Sequence, residues 1–145
     1  MTVTAEEIRI GQLAIRFLAE GDVSGGALAL FEFDVPAQAK VPVAHSHDAY
    51  DETIYGLAGE LHWTVDGEER VVRAGEVLFV PRGVVHRFEN RGDADASALA
   101  VVTPGLLGSD YFREMAAVVA AAAGGPPEPA ALAEVMRRHG LTPQP

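Results

Sequence analysis

From residue 8 to residue 103 the chain is a succession of short apolar segments, each closed by turn-forming residues, with no helical period among them. Leu13, Ile15 and Phe17 alternate with Ala14 and Arg16, the pattern of a half-buried strand. Over residues 27–35, Ala29, Phe31, Phe33 and Val35 fall on one face and Leu28, Leu30, Glu32 and Asp34 on the other. Further strand-like segments follow at 53–57, 61–65, 70–73, 77–80, 85–88 and 97–103. Turn formers separate them at 21–26, Asp66-Gly67, Ala74-Gly75, Pro81-Arg82-Gly83 and 90–93. Asp66-Gly67 is the residue pair that a tight type I′ hairpin demands. Pro36 and Pro42 bracket a connection that belongs in a loop or along an edge. Many short strands at close spacing predict an all-β sandwich or barrel rather than βαβ units.

After Gly108 the periodicity changes. Ser109 is placed to cap a helix whose apolar side carries Phe112, Met115, Val118, Val119 and Ala122, and Gly124-Gly125-Pro126-Pro127 ends it. A second helix is expected from about Pro129, with Leu132, Val135, Met136 and His139 on one side and a stop at Gly140. The expected organisation is a β-barrel domain over 1–108 and a C-terminal helical extension over 109–145, covering an apolar outer face of the barrel.

Composition removes several classes of function. The chain has no cysteine, so any metal must be held by nitrogen and oxygen, which suits a first-row transition ion. A net charge of −10 with scattered basic residues argues against nucleic acid as a partner. The longest apolar run, residues 116–123, is too short to span a membrane, and the polar, acidic start at 1–7 lacks the basic and apolar regions of a signal peptide. A cytoplasmic location is therefore expected.

Chemistry concentrates in two clusters. His45 and His47 are two residues apart, so on a strand both imidazoles project to the same side. Glu52 follows a short loop later, and its carboxylate meets those rings if its strand pairs with theirs. His86 arrives from a distant segment, after the Pro81-Arg82-Gly83 turn. Three imidazoles and a carboxylate suit a transition metal and leave coordination positions open for substrate or water.

The spacing of these residues resembles the cupin superfamily, small jelly-roll barrels with a metal in the cup. His45, His47, Glu52 and Gly59 fit the first motif of that family, and Gly75, Pro81, Gly83, His86 and Asn90 fit every position of the second. Ala39 stands where the first motif usually opens with glycine, a departure that bears on the local turn. The resemblance implies a jelly-roll barrel and one divalent transition ion per chain (Fe, Mn, Ni, Co, Cu or Zn), with His45, His47, Glu52 and His86 as ligands. The leading activity it implies is dioxygenation of a small enol-type or aromatic substrate, with Glu52 serving as base as well as ligand. The alternatives are isomerisation, decarboxylation or cyclisation through a metal-bound enolate, and a binding role without turnover. It also implies a homodimer, with residues 8–18 as the segment packed or exchanged across partners.

Other positions carry weaker signals. Phe33, Ile54, Trp63, Phe79 and Phe88 are candidate cavity walls and substrate contacts. Gly56 shares strand parity with Glu52 and Ile54; its missing side chain would enlarge the cavity, or would relieve crowding at a bulge. Asp51 is expected to hydrogen-bond a ligand histidine or the neighbouring loop. His62 is expected to face outward, to solvent or to a dimer contact, and His139 to be structural in the last helical turn.

Overall fold

The computed structural model describes residues 5–39 and 43–144. Pro42, expected at the end of the edge connection, and residues 1–4 of the polar start lie outside the described residues. In chain order the strands are β1 (Glu6–Ile10), β2 (Leu13–Ala19), β3 (Ala29–Val35), β4 (His45–His47), β5 (Asp51–Ala58), β6 (Glu60–Val65), β7 (Glu68–Arg73), β8 (Val77–Val80), β9 (His86–Glu89) and β10 (Ala96–Thr103). Helices α1 (Ser109–Ala121) and α2 (Pro129–Arg138) follow, and after them a last strand, β11 (Leu141–Pro143).

All pairings are antiparallel. One sheet runs β1-β2-β3-β10-β5-β8 and the other β11-β4-β9-β6-β7. The two face each other as a jelly roll, with the core between them. On β3, Ala29, Phe31, Phe33 and Val35 are buried while the residues between them are half-buried. Phe33 meets Trp63 and Phe88 of the opposite sheet at ring-centroid distances of 6.5 and 5.3 Å. Burial of each such ring contributes about 1.5–3 kcal/mol. On the outer surface Arg16 of β2 reaches across to β3, donating to both oxygens of Asp34 at 2.6 and 2.8 Å and to Glu32 at 3.2 Å.

The β6–β7 hairpin turns on Asp66 and Gly67 at φ 51° and 79°, the left-handed pair expected of its sequence. Residues 8–18 are not one strand, because a turn at Gly11-Gln12 folds them into the β1–β2 hairpin, with Ile8 opposite Ile15.

The C-terminal segment does more than cover an outer face. Strand β11 joins the five-stranded sheet as the neighbour of β4, with Leu141 opposite His47. This strand has no signature of its own: three residues after a glycine are too few for a period. Helix α1 packs on β1 and sends Phe112 inward, 4.9 Å from the Phe31 ring and 6.0 Å from Phe17. Ser109 is the first helical residue rather than the cap. The carboxylate of Glu20 accepts from its backbone N–H at 3.1 Å, while the Ser109 hydroxyl accepts from Arg113. A side chain 89 residues away in sequence thus takes the role that a local serine was expected to fill. Among the described residues no helix is long and apolar enough to cross a membrane.

Candidate metal centre

His45 and His47 leave β4 on the same side, as their spacing requires, and β9 pairs with β4 so that His86 lies directly opposite His45. One ring nitrogen from each of His45, His47 and His86 falls within 4.8 Å of the other two, so the three could hold one metal ion. Glu52 reaches them from elsewhere than expected. Its strand, β5, pairs with β10 and β8 in the other sheet and not with β4. The carboxylate therefore crosses the barrel interior, placing Oε1 3.9 Å from His86 Nε2, beside the tight histidine trio and not within it.

The donor set fits a transition ion on its own chemistry. His45 Nδ1 lies 2.9 Å from the Val43 carbonyl and His86 Nδ1 lies 3.0 Å from the Val84 carbonyl. A carbonyl only accepts, so each Nδ1 carries the proton and each Nε2 presents a lone pair. Burial, and then the neighbouring His86 ring, lower the His45 pKa to about 4. His47 and His86 are also lowered, chiefly by burial, which keeps all three imidazoles neutral. His47 has no such carbonyl: among the described residues its Nδ1 is buried without a partner, and the ring stacks on Tyr50 at 4.7 Å. Tyr50 in turn donates to the His139 carbonyl at 3.1 Å. Burial alone raises the Glu52 carboxyl to about 7.

Hydrogen bonds tie the two clusters together. Asp51 turns away from the rings and accepts from the backbone N–H and the guanidinium of Arg82, at 2.9 and 3.2 Å, so of its two expected roles it takes the loop. Gly83 N–H donates to the His47 carbonyl at 2.8 Å. Asn90 donates to the Val35 and Ala94 carbonyls at 3.0 and 2.9 Å, fixing the turn after β9. His62 is half-buried beside Glu60, and His139 caps α2 with its ring on Glu114 at 2.5 Å, both away from the trio.

The trio and Glu52 stand in the wall of a cavity of about 80 Å³. Phe33, Trp63 and Phe88 line it; Ile54 is fully buried but is not part of its wall. Phe79 is on the wrong side of the sheet. Its neighbours Leu78 and Val80 pair with Ile54 and Glu52 and take the inner face, which leaves Phe79 53% exposed outside. Gly56 does not widen the cavity either: a Cβ there would lie 2.1 Å from the Arg73 carbonyl oxygen, so the glycine admits the Ala74-Gly75 turn. Tyr111, Phe112 and Met115 of α1 and Leu141 of β11 also line it, as does Arg87 of β9. The apolar stripe of α1 was legible as a buried face, but nothing local marked what it would face.

A two-sheet antiparallel barrel with a histidine trio on one sheet and a carboxylate on the other defines a class of metal-site jelly rolls. The family model described as the Cupin domain matches residues 31–102. The chain belongs to the cupin superfamily. It is 40% identical over 60 residues to the tetracenomycin polyketide synthase protein TcmJ of Streptomyces glaucescens, covering 41% of this chain and 40% of that protein. It is 30% identical over 107 residues to quercetin 2,3-dioxygenase of Aspergillus japonicus, covering 70% of this chain and 30% of the enzyme. The chain thus spans less than half the length of either relative. Among solved structures, a predicted oxalate decarboxylase from Thermotoga maritima superposes with a TM-score of 0.63 at 25% identity, covering 70% of this chain and 93% of that one.

Proposed function

We propose that this cupin is a metal-dependent enzyme that oxygenates a small enol-type substrate, using one divalent transition ion held by His45, His47, His86 and Glu52. The observation that carries the reading is the meeting of three neutral imidazoles and a carboxylate in the wall of a largely apolar cavity. When bound, the ion would stabilise a deprotonated substrate oxygen and open dioxygen chemistry.

The chain's own groups do the rest. Val43 and Val84 carbonyls orient two of the rings. Glu52, beside the trio and on the other sheet, is placed to take the substrate's proton. Phe33, Trp63 and Phe88 hold the carbon skeleton, and Tyr111, Phe112 and Met115 exclude water from above it. Size narrows the substrate: 80 Å³ is about half the ~150 Å³ void that admits benzene. A compact diketone or hydroxy-enone, no smaller than benzene, enters only as the side chains lining the cavity give way, and a flavonol enters only if α1 moves. The similarity to a quercetin dioxygenase supports oxygenation. The similarity to a polyketide synthase protein favours a second reading, isomerisation or ring closure of the same kind of enolate without dioxygen.

Metal content by plasma mass spectrometry, followed by oxygen-electrode and product-mass measurements on β-diketones, hydroxy-enones and flavonols, tests this. One metal per chain with oxygen uptake on the small enols is expected. Product formation without oxygen uptake would move the assignment to the second reading. Protein purified without chelator that carries no metal would refute both.

A further inference from the structure

The single tryptophan of the chain is in the cavity wall, and its indole N–H has no partner. Trp63 is 2% exposed, and its Nε1 is buried without a hydrogen-bond acceptor among the described residues. Its surroundings are rings: Phe88 at 5.0 Å, Phe33 at 6.5 Å, and His86 nearly parallel at 6.3 Å and 25°. None of these faces accepts a conventional hydrogen bond. A buried donor left unpaired costs about 1–3 kcal/mol, and native proteins hold few of them. A phenylalanine would fill the same apolar corner without that cost. The neighbouring position Phe88 shows that the wall accepts one.

We propose that Trp63 is the second recognition point of this cavity: its indole N–H donates to an acceptor oxygen of the bound substrate. This rests on the functional reading above and narrows it. One substrate oxygen goes to the histidine trio and another to the indole, so the substrate carries at least two oxygen functions. The Trp63 and His86 ring centroids are 6.3 Å apart on one cavity wall, close enough for one small compound with two oxygen functions, such as a β-diketone, to address both points. A monoketone of the same length satisfies only one of the two points. Trp63 is then a specificity-determining residue, acting on affinity and not on metal uptake.

The test uses the lone indole as its own reporter. In the ¹⁵N-labelled full-length protein, with and without zinc, one indole N–H resonance is followed while acetylacetone or 2-pentanone is titrated in. Acetylacetone should move the indole proton downfield and slow its exchange with water, and 2-pentanone should do neither at equal occupancy. In Trp63→Phe, calorimetry should show acetylacetone binding weakened by about tenfold, 2-pentanone binding within twofold of wild type, and zinc content unchanged. An indole signal that acetylacetone leaves in place, including through failure to bind, overturns the proposal, as does a Trp63→Phe affinity within twofold of wild type. A water molecule serving as the acceptor would give that last result. Full metal content and turnover with an unmoved indole would refute this inference alone. A shifted indole in protein that takes up no metal would refute the functional reading alone.

Discussion

Gly56→Ala separates two roles that one glycine could play. If Gly56 existed to widen the cavity, a methyl group would cost little and would shrink the space beside Glu52. The geometry says otherwise. The new Cβ would stand 2.1 Å from the Arg73 carbonyl oxygen and 2.7 Å from its carbon, both backbone atoms. Relief requires the Ala74-Gly75 turn to retreat by about 1 Å, far enough to overstretch its bonds to the strand. Those bonds are Gly75 N–H to the Gly56 carbonyl at 2.8 Å and Gly56 N–H to the Glu76 carbonyl at 2.9 Å. Two backbone hydrogen bonds contribute about 1 kcal/mol each, and forced overpacking costs about 1–3 kcal/mol more. The stiffer unfolded chain gives back about 0.4–1 kcal/mol. The net expectation is a loss of about 2–4 kcal/mol, or about 5–15 °C in Tm for a chain of this size. Urea unfolding followed by circular dichroism measures it, with the slope unchanged and the midpoint lowered. A stability within about 0.5 kcal/mol of wild type would refute the close-approach account, most plainly if ligand affinity fell at the same time.

His86→Ala removes the residue that faces both His45 and Glu52; metal content in chelator-free preparations should fall to background, and retention of one ion per chain would show that the trio is not the site. Phe33→Ala, which empties the centre of a ring cluster, should cost about 3–5 kcal/mol in chemical denaturation. Phe79→Ala, on the outer face, should stay within about 0.5 kcal/mol of wild type and leave ligand affinity unchanged. Asp34 is held below its ordinary carboxylate range by hydrogen bonds and charge from Arg16, so folding favours its ionised form. That contribution is present above the unfolded value near 3.8 and is lost as pH falls through the lower folded value. Asp34→Asn should therefore be less stable than wild type at pH 7, and the two urea midpoints should converge as pH falls below 3.8 and through the lower folded value; a gap that persists below it would point to packing instead of charge.

The local chemistry of the chain was sufficient for the strands and for half of the site. A period of two, Asp66-Gly67 at a hairpin and His45-x-His47 on one face are all decided within a few residues, where side-chain direction follows from backbone geometry alone. That is why the jelly roll and the histidine set were legible, the latter with help from a familiar motif. Facing is another matter, because parity says which side chains agree with one another and not which group is inside. Val77-Leu78-Phe79-Val80 is apolar throughout, so nothing in it marks an outer face, and its register against β5 put Phe79 in the open. Glu52 meets His86 across the barrel because the jelly roll sends consecutive segments β4 and β5 to opposite sheets. Gly56 against Arg73, Glu20 on the first turn of α1, and Phe112 among the core rings are likewise contacts between distant segments. Each depends on packing that no short window contains, and so do the walls and the size of the cavity; only the tertiary structure decided them.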